Sequence, residues 1–129
     1  MALASDLMGL GLPANLALNI AVGGTGPVAV TATGSAFASA ARLGGDQRFA
    51  AVSNANGTLA VALPAVAGDV QPADMFVIGN YNSAGLPVYL SSGVVISAGG
   101  TSNSSLTLGS FCTLIAFPVS STQWVGLTT

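Results

Sequence analysis

The hydrophobic pattern of this chain changes period once, near residue 25. Before that point Leu7, Leu10, Leu16 and Ile20 form one apolar stripe at helical spacing. Ser5 or Asp6 suits an N-cap, Pro13 suits a first helical turn, and Gly23-Gly24 supplies a stop. The pattern predicts one or two short helical turns, forming an N-terminal arm over residues 1–24. Such a short helix is stabilised mainly by what it packs on. Two readings of the stripe stand side by side: a contact with the chain's own core, or an arm that docks on a neighbour.

From "TGPVAVTATGS" onward the period is two. Val28, Val30 and Ala32 alternate with smaller or polar residues, as in a half-buried strand. Further strands are expected at 49–53, at Leu59, Val61 and Leu63 before Pro64, and in "MFVIGNYN", which is apolar on both faces and therefore central. "LPVYLSS", "GVVISAGG", "SLTLG", "SFCTLIAFPV" and "QWVGLT" supply the rest. Asn56-Gly57 is a turn signal because both residues tolerate positive φ. "SAFASAARLGGDQR" has no clear period. Turn signals about every ten residues predict an all-β domain over residues 25–129, an antiparallel β-sandwich or a jelly-roll-like barrel. No regular repeat with matching residues is visible, which argues against a solenoid.

Composition narrows the function. The chain is 129 residues long, enough for one domain, yet 5% charged and 51% hydrophobic, whereas soluble domains are typically about 25% charged. The charges are Arg42 and Arg48 against Asp6, Asp46, Asp69 and Asp74, with no Lys, Glu or His. A spanning helix needs about 20 consecutive apolar residues, and Gly, Pro, Ser, Asn or Asp interrupts every run here. No transmembrane or export segment is expected. Disorder is excluded by the high apolar content. So neutral a surface invites association, and the expectation is that much of it is covered in an oligomer or a larger assembly. Two arginines and a net charge of −2 provide no basic patch for nucleic acid.

Candidate chemistry is sparse. Without His or Glu, neither a Ser-His-Asp nor a Cys-His arrangement can be built. Cys112, the only cysteine, lies in an apolar run and is expected to be a buried small hydrophobe rather than a nucleophile or a disulfide partner. Asp69 and Asp74 flank "VQPA" and read as solvated loop ends; a carboxylate pair or a calcium site needs more oxygen ligands or a second group. Arg42 and Arg48 stand near Asp46, a spacing that suits a surface ion pair. "GGTGPVAV" and "AGGTSNSS" lack the lysine of a phosphate-binding loop. Tyr81, Tyr89 and Trp124, with Asn80, Asn82 and Gln123 beside them, form a candidate aromatic platform for a glycan; the competing reading has Trp124 covering the end of the sandwich. No catalytic group, cofactor or metal site is expected.

The succession "GTLAVALPAVAGDV…MFVIGNYNSAGLPVYLSSGVVISAGGTSNSSLTLGSFCTLIAFPVSSTQWVGL" resembles a module of small structural proteins of tailed bacteriophages. It has a strand ending "LPA", a "GD" turn, a strand carrying Asn, then "SLTLG", an apolar strand and a terminal "QW". The opening "LMGLGLPANLA" is similar to the starts of such proteins. The likeness covers about the first twenty residues and roughly residues 57–127. It implies a virion protein of the capsid decoration (cement) or head-fibre type on the outer capsid surface. Such a protein is a homo-oligomer, a trimer by preference, contacting the major capsid protein and neither nucleic acid nor membrane. In that setting Leu7, Leu10, Leu16 and Ile20 would dock on the shell. The alternative it implies is a receptor- or glycan-binding module of a head or tail fibre. The resemblance supplies strand and turn positions and no functional residues.

Overall fold

The computed structural model describes residues 28–67 and 70–129. The expected helical arm over 1–24, with Leu7, Leu10, Leu16 and Ile20, lies outside them, as does Asp69. The described chain is all-β, with eleven strands: β1 (Val28–Thr31), β2 (Ala41–Arg42), β3 (Phe49–Ser53), β4 (Val61–Ala62), β5 (Phe76–Asn80), β6 (Leu86–Tyr89), β7 (Val95–Ala98), β8 (Thr101–Asn103), β9 (Ser105–Leu108), β10 (Thr113–Pro118) and β11 (Gln123–Thr128). They form a seven-stranded sheet, ordered β1-β3-β5-β10-β11-β7-β8, and a four-stranded sheet, ordered β2-β4-β6-β9.

The expected antiparallel arrangement is corrected: both sheets are mixed. β1, β3 and β5 run parallel in the larger sheet, and β2, β4 and β6 run parallel in the smaller one. Successive strands from β1 to β6 alternate between the sheets, so the chain winds as a short two-sheet coil. Each parallel crossover is made by a strand of the opposite sheet, where a helix is more usual. The remaining strands close the coil with antiparallel pairs, β6–β9, β5–β10, β10–β11 and β7–β8, and one further parallel pair, β7–β11. Neither sheet closes into a barrel. β1 and β8 edge one sheet, and β2 and β9 edge the other.

One core lies between the sheets, which makes the arrangement sandwich-like. Inward residues of the larger sheet, among them Val52, Phe76, Ile78, Ile96, Leu114 and Trp124, share a cluster with Val61, Leu86, Val88 and Leu108 of the smaller. Trp124 meets Phe76 edge-on at a centroid distance of 5.6 Å. Gly126 makes room for side chains of the strands on either side of β11: a Cβ there would lie 3.0 Å from side-chain carbons of both Ile96 on β7 and Leu114 on β10. The strand expected to alternate at 59–63 instead buries Ala60, Val61, Ala62 and Leu63 in succession. Val61 and Leu63 face the main core, while Ala60 and Ala62 pack with Ala40, Phe37 and Tyr89 on the other side of the small sheet.

Local signals act as their chemistry requires. Gly99 and Gly100, at φ of 60° and 84°, form the two-residue turn between β7 and β8. The Asn56 side chain accepts the backbone N–H groups of Thr58 and Leu59, and Gly57 turns at φ 90°.

Candidate interaction surface

Strand alternation gives the larger sheet two faces, and the outer one is also apolar. Residue pairing places Phe49, Val77, Ile115 and Leu127 directly opposite one another across β3, β5, β10 and β11. Phe117 and Val125 form the adjacent pair. No residue in any strand of this sheet carries a charge. A sheet with one face in water normally alternates apolar and polar along its strands; across β3, β5, β10 and β11 the outward positions are apolar except for Ser53, Thr113 and Gln123.

At one end of this face lies a cup of about 320 Å³. Its floor is backbone and small side chains, Ala51 and Gly79, and its walls are Phe49, Tyr81 and Phe111. Tyr81 is 55% exposed and Phe111 is 70% exposed. A polar clamp beneath holds the backbone that carries Tyr81 and Phe111. The buried Asn80 side chain donates from Nδ2 to the carbonyls of Ala84 (2.8 Å) and Gly109 (2.9 Å). Its Oδ1 accepts the backbone and side-chain N–H groups of Asn82, each at 3.1 Å. Asn82 Nδ2 also donates to the Val52 carbonyl at 2.8 Å. The Phe111 N–H donates to the Asn82 carbonyl at 3.1 Å, and the Asn80 N–H to the Cys112 carbonyl at 3.0 Å. "NYN" is therefore a device that ties β3, β5 and the approach to β10 together with Tyr81 at its apex.

The strand expected through Phe111 and Cys112 begins later, at Thr113. Phe111 occupies a turn at φ 55°, left-handed backbone that a bulky residue rarely adopts. Cys112 is half-buried against the main core.

The three aromatic candidates do not converge. Trp124 is 1% exposed inside the core, so neither ring face is left for a sugar, and it is a central core residue rather than an end cover. Tyr89 lies on the smaller sheet, its hydroxyl donating to the Ser35 carbonyl at 3.0 Å. Tyr81 alone belongs to the cup. Asn80 and Asn82, expected as polar neighbours for a ligand, use their amides within the chain.

The ion pair also differs from expectation. Arg48 pairs with Asp74 rather than Asp46, Nη2 to Oδ2 at 3.2 Å, and both side chains are buried. Parallel pairing of Phe49 with Val77 carries residue 48 to the start of β5, where the Val77 N–H donates to the Arg48 carbonyl at 2.7 Å. Asp74 is thus a structural anchor and not a solvated loop end. Its Oδ2 also accepts the Gln71 N–H at 2.7 Å, and Arg48 Nε donates to the Gly45 carbonyl at 2.7 Å. Arg42 stacks over the Phe37 ring at 4.5 Å, and Asp46 is exposed. Among the described residues no three His, Cys, Asp or Glu side chains come together to hold a metal ion. No described helix is long and apolar enough to cross a membrane.

Sequence reasoning missed Phe49 and Phe111 as surface residues. The alternation of Phe49 with buried neighbours was legible, but which face met solvent depended on the sheet partner, and Phe111 lies in a turn that the apolar run concealed. No protein-family model, curated protein or solved structure matches this chain.

Proposed function

We propose that the chain is a structural, non-enzymatic virion protein that decorates the outer surface of a bacteriophage capsid. It stabilises the shell as a symmetric homotrimer that bridges neighbouring copies of the major capsid protein. The observation that carries this reading is the uncharged, apolar outer face of the seven-stranded sheet, a surface suited to burial against protein. The chain's chemistry agrees with it. Without His or Glu, and with Arg48 and Asp74 committed to each other in the interior, proton-transfer groups are scarce. Binding that favours the assembled shell raises its stability by mass action. The N-terminal stripe of Leu7, Leu10, Leu16 and Ile20 would supply the shell contact. The test is to add purified protein to heads of its phage that lack it. Saturable binding and a higher disruption temperature are expected; absence of both would sink the reading.

A second reading, a receptor- or glycan-binding fibre module, is favoured by one observation: two exposed aromatic walls at the cup, Tyr81 and Phe111. It ranks second because Asn80, the one amide side chain in the cup's lining, is engaged with backbone carbonyls, leaving a sugar only the Tyr81 and Thr113 hydroxyls beside the aromatic rings. Host polysaccharide binding that weakens in Tyr81→Ala would promote it; a flat response across host glycans would remove it.

A further inference from the structure

We infer, resting on the structural reading above, that the outer face of the seven-stranded sheet is the binding site for a second copy of this chain. Charge is the first argument. A face without charged groups disfavours a partner whose charges would be stripped of water and left unmatched. Every described ionisable side chain except the tyrosines and Cys112 is placed elsewhere: Arg48 and Asp74 in the interior, Arg42 on the smaller sheet, Asp46 in the turn before β3. A contact between two copies of this face juxtaposes no charges, whichever way the copies are turned.

Shape is the second argument. The same face carries both a recess and a projection. The recess is the cup between Phe49, Tyr81 and Phe111. The projection is Leu127 on β11, opposite Ile115 in register and 67% exposed. A surface holding both can contact its own copy head to tail, Leu127 of one chain entering the cup of the next. Such a contact forms a ring when the rotation closes. Three copies around one axis, each with this face turned inward, would bury the row Phe49–Val77–Ile115–Leu127 at the centre.

Backbone strain is the third argument. Phe111 is held at φ 55° while its ring is 70% exposed. Glycine would fit that turn without strain. A strained, solvent-facing aromatic is explained by what it touches outside its own chain.

The experiment is sedimentation velocity with native mass spectrometry on the full chain at micromolar concentration, without capsids, so that its failure is distinct from failure of shell binding. Wild type is expected to be an oligomer. Leu127→Lys and Ile115→Lys should each weaken self-association by at least about 30-fold, the scale of losing an interface hot spot. Thr107→Lys, outward on β9 of the smaller sheet, should leave it unchanged. Far-UV circular dichroism and the emission of the buried Trp124 verify that each variant is folded; Leu127, at the exposed end of its strand, is the substitution least able to disturb the core. A monomeric wild type would overturn the inference and leave the face to the chain's own N-terminal segment or to another protein. So would an oligomer that neither folded variant dissociates.

Discussion

Removing the Asp74 carboxylate should be among the most damaging single substitutions on this chain. Arg48 and Asp74 are both buried and meet at 3.2 Å. Asp74→Ala deletes that contact and the acceptor for the Gln71 N–H, while the Arg48 guanidinium stays within reach of the Gly45 carbonyl and beneath the Phe76 ring, 5.7 Å from its centroid. Two charge-assisted hydrogen bonds at about 1.5–3 kcal/mol each give the same scale as the usual cost of breaking a buried pair, about 3–5 kcal/mol. Against a total stability of about 5–15 kcal/mol this is a large share. It corresponds to a midpoint lowered by about 10 °C or more for a domain of this size. Urea unfolding followed by Trp124 emission, at fixed protein concentration, measures the loss. The double variant Arg48→Met/Asp74→Leu removes both charges of the buried pair together and should be more stable than Asp74→Ala alone. An Asp74→Ala cost below about 1 kcal/mol would refute the reasoning, since that is the scale of an exposed pair.

Two further substitutions separate the cup's foundation from its wall. Asn80→Ala removes two donors to backbone carbonyls and the acceptor for Asn82, and should cost about 2–3 kcal/mol; amide hydrogen exchange should show faster opening at residues 80–85 and 109–112 than in β7 and β8. Phe111→Gly should move stability and association in opposite directions: relief of the left-handed strain raises the unfolding free energy by up to about 1 kcal/mol after the entropy cost of glycine, while oligomer dissociation becomes easier. Calorimetry on the dissociated protein and sedimentation on the associated one check the two signs.

Much of the strand content was legible in the sequence, for local reasons. Phe49–Ser53 and Gln123–Thr128 alternate strictly in burial over most of their length, and "MFVIGNYN" reads as central because β5 is flanked by β3 and β10. Pairing direction was not legible. Turn signals at even spacing suggest hairpins, but between β1 and β6 each turn sends the chain across to the other sheet. The coil also hides its repeat: Val28 pairs with Ala50 and Ala50 with Ile78, steps of unequal length filled by dissimilar loops. β2 escaped notice because two residues carry no period, and Ala40 and Leu43 beside it are buried by distant strands.

The candidate surface was legible only as a surplus of apolar residues. Which of them point outward depends on register, and a one-residue shift exchanges the faces. That is why Trp124 stood open between a glycan contact and a cover for the end of the sandwich, when it lies in the core. The Arg48–Asp74 pair was hidden for a related reason: its members meet only because β3 and β5 are parallel neighbours. Nearness in sequence favoured Asp46, and topology selected Asp74.

The most direct measurement of the proposed function is a cryo-electron microscopy map of the particles assembled from the genome that encodes this chain. The account predicts density for the two-sheet domain on the outside of the shell, in symmetric clusters over capsomer junctions. The face bearing Phe49, Val77, Ile115 and Leu127 should be turned toward neighbouring copies. Particles without this density, or density in which that face lies open to solvent, would contradict it.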